Sequence, residues 1–224
     1  MLAANGPNSW IWWHWVATHE GRIWSLTRQH VELTVIAVGI GLAISFPLAL
    51  VARRWRWLAS PILGVAGGLY TIPSLAAIGL LLPITGLSRT TAEVVLVSYT
   101  LLILVRNILA GLDSVPPEIR DAARGMGLSA PRLLVSIDLP LALPAIIAGI
   151  RIATVTTIGL VTITALLGPA GGGLGQLIYD GLLRQFHTPL VVGSTLSVAL
   201  AVTADLLLVG VQRIATPWAR KRAA

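Results

Sequence analysis

The sequence predicts an all-α integral membrane protein with five transmembrane helices, and three observations carry that prediction. Of 224 residues, 55% are apolar and only 11% charged, under half the share of about 25% usual in soluble domains. Five apolar runs reach the ~20 residues that a helix needs to cross a bilayer. The basic residues collect at alternate ends of those runs, as the positive-inside bias requires. Disorder is excluded, because it needs low hydrophobicity and high charge. With no Cys in the chain, a disulfide framework, a thiolate metal site and a Cys nucleophile are excluded as well.

The runs cover 31–51, 58–84, 91–112, 139–168 and 189–212. None alternates with the two-residue period of a membrane barrel, so helices must satisfy backbone groups that lipid leaves without partners. Residues 1–30 form an N-terminal interfacial segment, in which Trp10, Trp12, Trp13, Trp15 and Trp24 suit the headgroup belt. The first arginine is Arg22, so no basic region precedes an apolar stretch, and the segment is not expected to be a secretory signal. The second run carries Pro61, Pro73 and Pro83. At about 1.5 Å per residue it is too long for a ~30 Å core, and a kink is expected within 71–74. The transmembrane domain covers 31–213, and a basic tail, 214–224, follows.

Orientation follows from charge. Arg53, Arg54, Arg56, Arg106, Arg120, Arg124, Arg132, Arg213, Arg220, Lys221 and Arg222 share one side, against Arg22, Arg28, Arg89 and Arg184 on the other. The N-terminus is therefore expected outside and the C-terminus in the cytoplasm. Topology accounts for the net charge of +7, so no nucleic-acid partner is expected.

Between the third and fourth runs, residues 113–138 are too long and too charged for a simple hairpin. Pro116 and Pro117 can start a helix, Glu118 and Asp121 favour its N-terminal dipole, and Gly125 or Gly127 should end it. Ala122 and Ala123 leave a low surface between charged neighbours, a knob for another protein.

Arg151 lies inside the fourth run, where a charge needs a partner or a wet cavity. It sits about 15 Å from the inner end and Asp205 of the fifth run about 12 Å, so an Arg151–Asp205 ion pair is expected. Glu32 and Glu93 fall at outer ends, where solvated carboxylates need no function. His14, His19, His30 and His187 are scattered through exterior segments with no acid spaced to complete a metal site. No base accompanies Ser194 at membrane depth, so an enzyme is not expected.

Asp121-Ala122-Ala123, then Gly127, then Ile137-Asp138-Leu139-Pro140 resembles the EAA loop of ABC-importer permeases, with Asp in place of the usual Glu. The likeness extends to the osmoprotectant subgroup that imports glycine betaine, carnitine or choline. It rests on Thr71-Ile72-Pro73-Ser74-Leu75-Ala76, Arg106-Asn107, Leu139-Pro140-Leu141-Ala142-Leu143-Pro144, Ala148-Gly149-Ile150-Arg151 and Gly171-Gly172-Gly173-Leu174-Gly175. The resemblance implies a permease subunit in the plasma membrane and a coupling helix formed by Glu118, Arg120, Asp121, Ala122, Ala123, Gly127 and Leu128. It also implies three partners: a dimer of ATP-binding subunits, a second permease copy or paralogue, and an extracytoplasmic substrate-binding protein. ATP and magnesium would sit on the partner ATPase. The single lysine, Lys221, lies in the tail, so the glycine run cannot be a Walker site.

On this topology the glycine run lies outside. Gly172, Gly173, Gly175, Gln176, Tyr179 and Asp180 are expected either as a flexible docking loop for the binding protein or as a re-entrant turn. Pathway candidates are Tyr70, Pro73, Ser74, Tyr99 and Asn107, the two tyrosines being aromatics that could meet a quaternary amine. Two alternatives stand beside this reading. One is a permease for an amino acid or methionine. The other is an ion-gradient-driven secondary transporter, which would show internal repeats and broken spans in corresponding halves.

Overall fold

The computed structural model describes residues 10–218. The first nine residues of the N-terminal segment, and Arg220, Lys221 and Arg222 of the tail, lie outside the described residues. Regular structure among the described residues is helical throughout: α1 (Trp13–Thr18), α2 (Glu20–Arg54), α3 (Arg56–Thr71), α4 (Ser74–Thr85), α5 (Arg89–Asp113), α6 (Pro117–Gly125), α7 (Ala130–Leu133), α8 (Leu139–Ile163), α9 (Gly175–Leu183) and α10 (His187–Ala215). A π-helical turn, Leu134–Asp138, joins α7 to α8, and a 3-10 segment, Thr164–Ala170, follows α8.

Four helical stretches are long and apolar enough to cross a membrane: Glu20–Arg54, Arg89–Asp113, Ala130–Ala170 and His187–Ala215. The second apolar run is not one kinked helix. It is two helices, α3 and α4, sharply bent at Ile72 and Pro73, and it makes a fifth span if the pair is counted as one. Proline at 73 has no amide hydrogen to give a helix and pushes Ile72 out of the helical region, so the break falls there.

The first long apolar helix, α2, begins at Glu20 and not at residue 31, so residues 20–30 are continuous with the first apolar run. Their polar groups find partners: Arg28 donates to Glu32 at 2.8 Å, and Gln29 donates to the carbonyl of Pro169 at 2.7 Å. Hydropathy ends where charge begins, but a helix continues while its side chains stay satisfied.

The chain divides into two compact units. One comprises Met1–Gly39, Ile72–Val97 and Thr154–Ala204, the other Ile40–Thr71, Ser98–Ala153 and Asp205–Ala224. In the first, Leu33, Ala37, Leu96 and Val161 form one core. Leu26, Leu174 and Leu177 form another, with Trp15 and Ile23 against it. Trp15 meets Phe186 edge-on at 5.6 Å between ring centroids. The core of the second unit gathers Ala49, Ala52, Leu104, Ile108, Leu112, Ala142 and Ile146. Its α5 and α8 cross closely, since a Cβ on Gly149 would come within 2.5 Å of the Asn107 Cβ.

Candidate functional site

In the second unit, α6 presents two faces. Glu118, Asp121, Ala122, Arg124 and Met126 are exposed, whereas Ala123 is 1% exposed and Ile119 and Arg120 turn inward. The two alanines therefore part: Ala122 belongs to the outer surface, and Ala123 packs the helix down. Pro117 opens the helix at its first position, where the missing N–H costs nothing. Gly127 closes it with φ +83°. Leu128 N–H reaches the carbonyl of Ala123 at 3.1 Å and Gly127 N–H that of Arg124 at 2.9 Å, the Schellman arrangement that a left-handed residue permits.

Beneath α6 lies a cluster that topology-based counting missed. Asp138 is 3% exposed and accepts from Arg120 Nε at 2.8 Å and from Arg53 Nη2 at 2.7 Å. Arg120 also donates to the carbonyl of Leu112, one of the unpaired acceptors at the end of α5. Close by, Arg56 forms two hydrogen bonds with Asp113, at 2.8 and 3.1 Å. A cavity of about 380 Å³ adjoins the cluster, lined by Leu50, Arg53, Arg124, Leu128, Leu134 and Asp138 among others. One signal in the sequence could have found Asp138: an acid between Ile137 and Leu139, at the mouth of an apolar run, has to be paired if it is buried.

Deeper in the same unit, Arg151 donates to Asp205 twice, Nε to Oδ1 at 2.9 Å and Nη2 to Oδ2 at 3.0 Å. Gln212, absent from the expected pair, accepts from Arg151 Nη1 at 3.3 Å and donates to the carbonyl of Pro144 at 3.2 Å. Arg151 of α8 is thereby held by two side chains of α10, and Gln212 ties α10 back to the α8 backbone. The rings of Tyr70 and Tyr99 lie 5.5 Å apart. Asn107 is half-buried at the α5–α8 crossing, its amide donating to the carbonyl of Ile103 at 2.8 Å. In the other unit, Pro73 and Ser74 stand at the start of α4, Pro73 exposed and Ser74 half-buried.

The glycine run of the first unit is packed, not flexible, which departs from the first of its two expected forms. Gly172, Gly173 and Gly175 are buried. A Cβ on Gly175 would lie 2.3 Å from the carbonyl oxygen of Thr162, and one on Gly173 2.9 Å from His30. His30 is no exterior residue: it is 0% exposed, its Nδ1 accepts from Leu174 N–H at 3.3 Å, and its Nε2 meets the carbonyl of Ile158 at 3.0 Å. Those two bonds require the neutral ring with the proton on Nε2. Gln29 accepts from Gly173 N–H at 3.3 Å. Of the predicted loop residues, Tyr179 is exposed and Asp180 is half-buried and paired with Arg22. Gln176 is also half-buried, its amide nitrogen lacking a hydrogen-bond partner. Glu93 differs from expectation too, since both of its carboxylate oxygens are buried, with Arg89 at 3.7 Å.

Residues 35–221 match the profile of a family described as the binding-protein-dependent transport system inner membrane component. The chain belongs to that family. The inner membrane component is 39% identical over 209 residues to the osmoprotectant import permease protein OsmW of Salmonella typhimurium, covering 91% of this chain and 96% of that one. It is 32% identical to the choline transport system permease protein OpuBB of Bacillus subtilis, over 92% and 94% of the two chains. Its fold matches a chain of the MetNI methionine ABC transporter in an inward-facing conformation with a TM-score of 0.74, at 20% identity over 85% of this chain and 94% of that one. A chain of an amino acid ABC transporter matches at 0.71, again at 20% identity, over 88% and 96%. The chain is thus a multi-pass plasma-membrane permease subunit of an ABC importer, a transport component and not an enzyme.

Proposed function

We propose that this permease imports osmoprotectants of the quaternary-ammonium class, such as glycine betaine, choline or carnitine, with its N-terminus outside and its C-terminus in the cytoplasm. Two copies, or one copy and a paralogue, enclose the pathway. α6 is the coupling helix, and it docks on a separate ATPase that holds the ATP and magnesium. Closure of the ATPase dimer draws the two coupling helices together and opens the pathway outward, and hydrolysis resets it. The work transmitted is the difference in contacts between those two states.

The observation that carries this reading is α6 itself. A helix of nine residues is too short to persist alone in water, yet it displays Asp121, Ala122 and Met126 outward while Ala123 and Arg120 bind it to the rest of the unit. That is the form of a projecting contact for a partner protein. The names of the relatives support the cargo class. So does the tyrosine pair, since a quaternary ammonium is held well by aromatic faces. An extracytoplasmic binding protein would deliver the cargo, with Tyr179 and Asp180 offered as part of its landing surface.

The test is uptake by vesicles holding the permease, its ATPase and a binding protein. Betaine and choline should compete for uptake, and methionine should not. Replacing Ala122 by Trp should uncouple ATP turnover from uptake while membrane insertion persists, whereas normal uptake would refute docking through α6. Cysteines introduced at Ser88 and Ser129 should label from outside and only after permeabilisation, respectively, and the reverse pattern would overturn the orientation.

A further inference from the structure

Asp138 is one carboxylate shared by two guanidiniums, and each guanidinium belongs to a different helix. Arg53 lies at the end of α2, Arg120 projects from α6, and Asp138 ends the π-helical turn that leads into α8. From this arrangement we propose that Arg53, Asp138 and Arg120 form the joint through which movement of α6 is delivered to α2 and α8. The proposal rests on the coupling role of α6 given above. Asp138 and its two arginines are positioning residues.

Three features make the cluster a joint rather than a fixed strut. First, its charges do not balance. Two arginines face one acid, so Asp138 can loosen one bond while the other still neutralises it, and no step leaves a bare carboxylate buried. Second, one wall is not packed. Arg53 and Asp138 line the adjoining cavity together with Arg124 and Leu128 from the α6 end, so α6 can swing without displacing core side chains, which close packing would otherwise forbid. Third, Asp138 stands in a π-helical turn, a local widening that recurs at functional positions in helices and yields more readily than an α-helical turn. Ala123 packs α6 down and Arg120 ties it to the carbonyl of Leu112, while the ion-pair link from α6 toward α2 runs through Asp138.

The charge excess also supplies variants that fold. Arg53→Gln leaves a balanced Arg120–Asp138 pair, and Arg120→Gln leaves Arg53–Asp138. The complete importer in vesicles, with spin labels at positions 55 and 126, reads both ends of the joint. In the unaltered importer both labels should shift on ATP binding. In Arg53→Gln the label at 126 should still shift and the label at 55 should not. ATP turnover should stay within about twofold, while uptake per ATP falls at least tenfold, equivalent to about 1.4 kcal/mol or more in coupling. Arg120→Lys, which keeps a charge, should recover part of the loss that Arg120→Gln produces. Wild-type uptake per ATP in Arg53→Gln, or turnover and uptake falling in proportion, would overturn the joint. A label at 126 that stays still in the unaltered importer would instead overturn the coupling role of α6, and the joint with it.

Discussion

Two segments between spans stood out in the sequence, and they are built in opposite ways. Residues 113–138 carry α6 on paired charges, with most of its own surface exposed. Residues 171–175 form a buried crossing, in which small size lets backbone meet backbone and ring. Around Asp138 the partners are long side chains that can change rotamer and partner. Around Gly175 the nearest atom is a carbonyl oxygen, which cannot retreat without moving α8. The contrast teaches that, if α6 has the proposed coupling role, the segment that moves is anchored by side chains able to change rotamer, while the segment held by backbone contact has no such freedom.

Substitutions can break or sharpen this contrast. Gly175→Val should cost most, about 3 kcal/mol or more, because the added carbons meet the Thr162 carbonyl; thermal unfolding of the solubilised protein checks it, and a near-normal melting temperature would remove the claim of a rigid crossing. Asp205→Asn should come next. It leaves Arg151 without its counter-charge at membrane depth, whereas Asp205→Leu combined with Arg151→Met should melt closer to the unaltered protein. Gly127→Ala should cost about 1–2 kcal/mol at the end of α6, since φ +83° is strained for any residue with a Cβ. Its signature is weakened co-purification with the ATPase and an intact transmembrane fold. Gly172→Ala should be smallest, within about 1 kcal/mol, although its Cβ would come 2.2 Å from Gln176. That neighbour is a side chain and can turn away. If Gly172→Ala proved as damaging as Gly175→Val, the distinction between side-chain and backbone neighbours would fail.

Much of this was legible from the chain alone, for identifiable reasons. Apolar runs report spans because lipid has no partners to offer the backbone, so four of the five runs reappear as long helices. Matching depth brought Arg151 and Asp205 together, because rise per residue is fixed in a helix. The ends of α6 were readable from Pro117 and Gly127, which act locally through their own backbone preferences. What escaped was set by neighbours distant in sequence. Arg53 looked like a topology marker, His30 like a surface histidine and Glu93 like a solvated acid, because burial is not a property of a residue's own stretch of chain. Glycine repeats do not declare whether they serve flexibility or contact, and the run from Gly171 to Gly175 proved to serve contact.

By itself, the sequence determined that this chain crosses a membrane as helices, that its basic residues gather at alternate ends of the apolar runs, and that a short capped helix stands between the third and fourth runs. Those follow from solvent transfer, charge placement and local backbone preference, all of which act within a few residues. Only the tertiary structure decided that Ala122 and Ala123 part company, that Asp138 is shared between Arg53 and Arg120, and that the glycine run is buried. Each of these depends on which helices meet, and a pairwise contact across 85 residues between Arg53 and Asp138 leaves no periodic trace in the sequence.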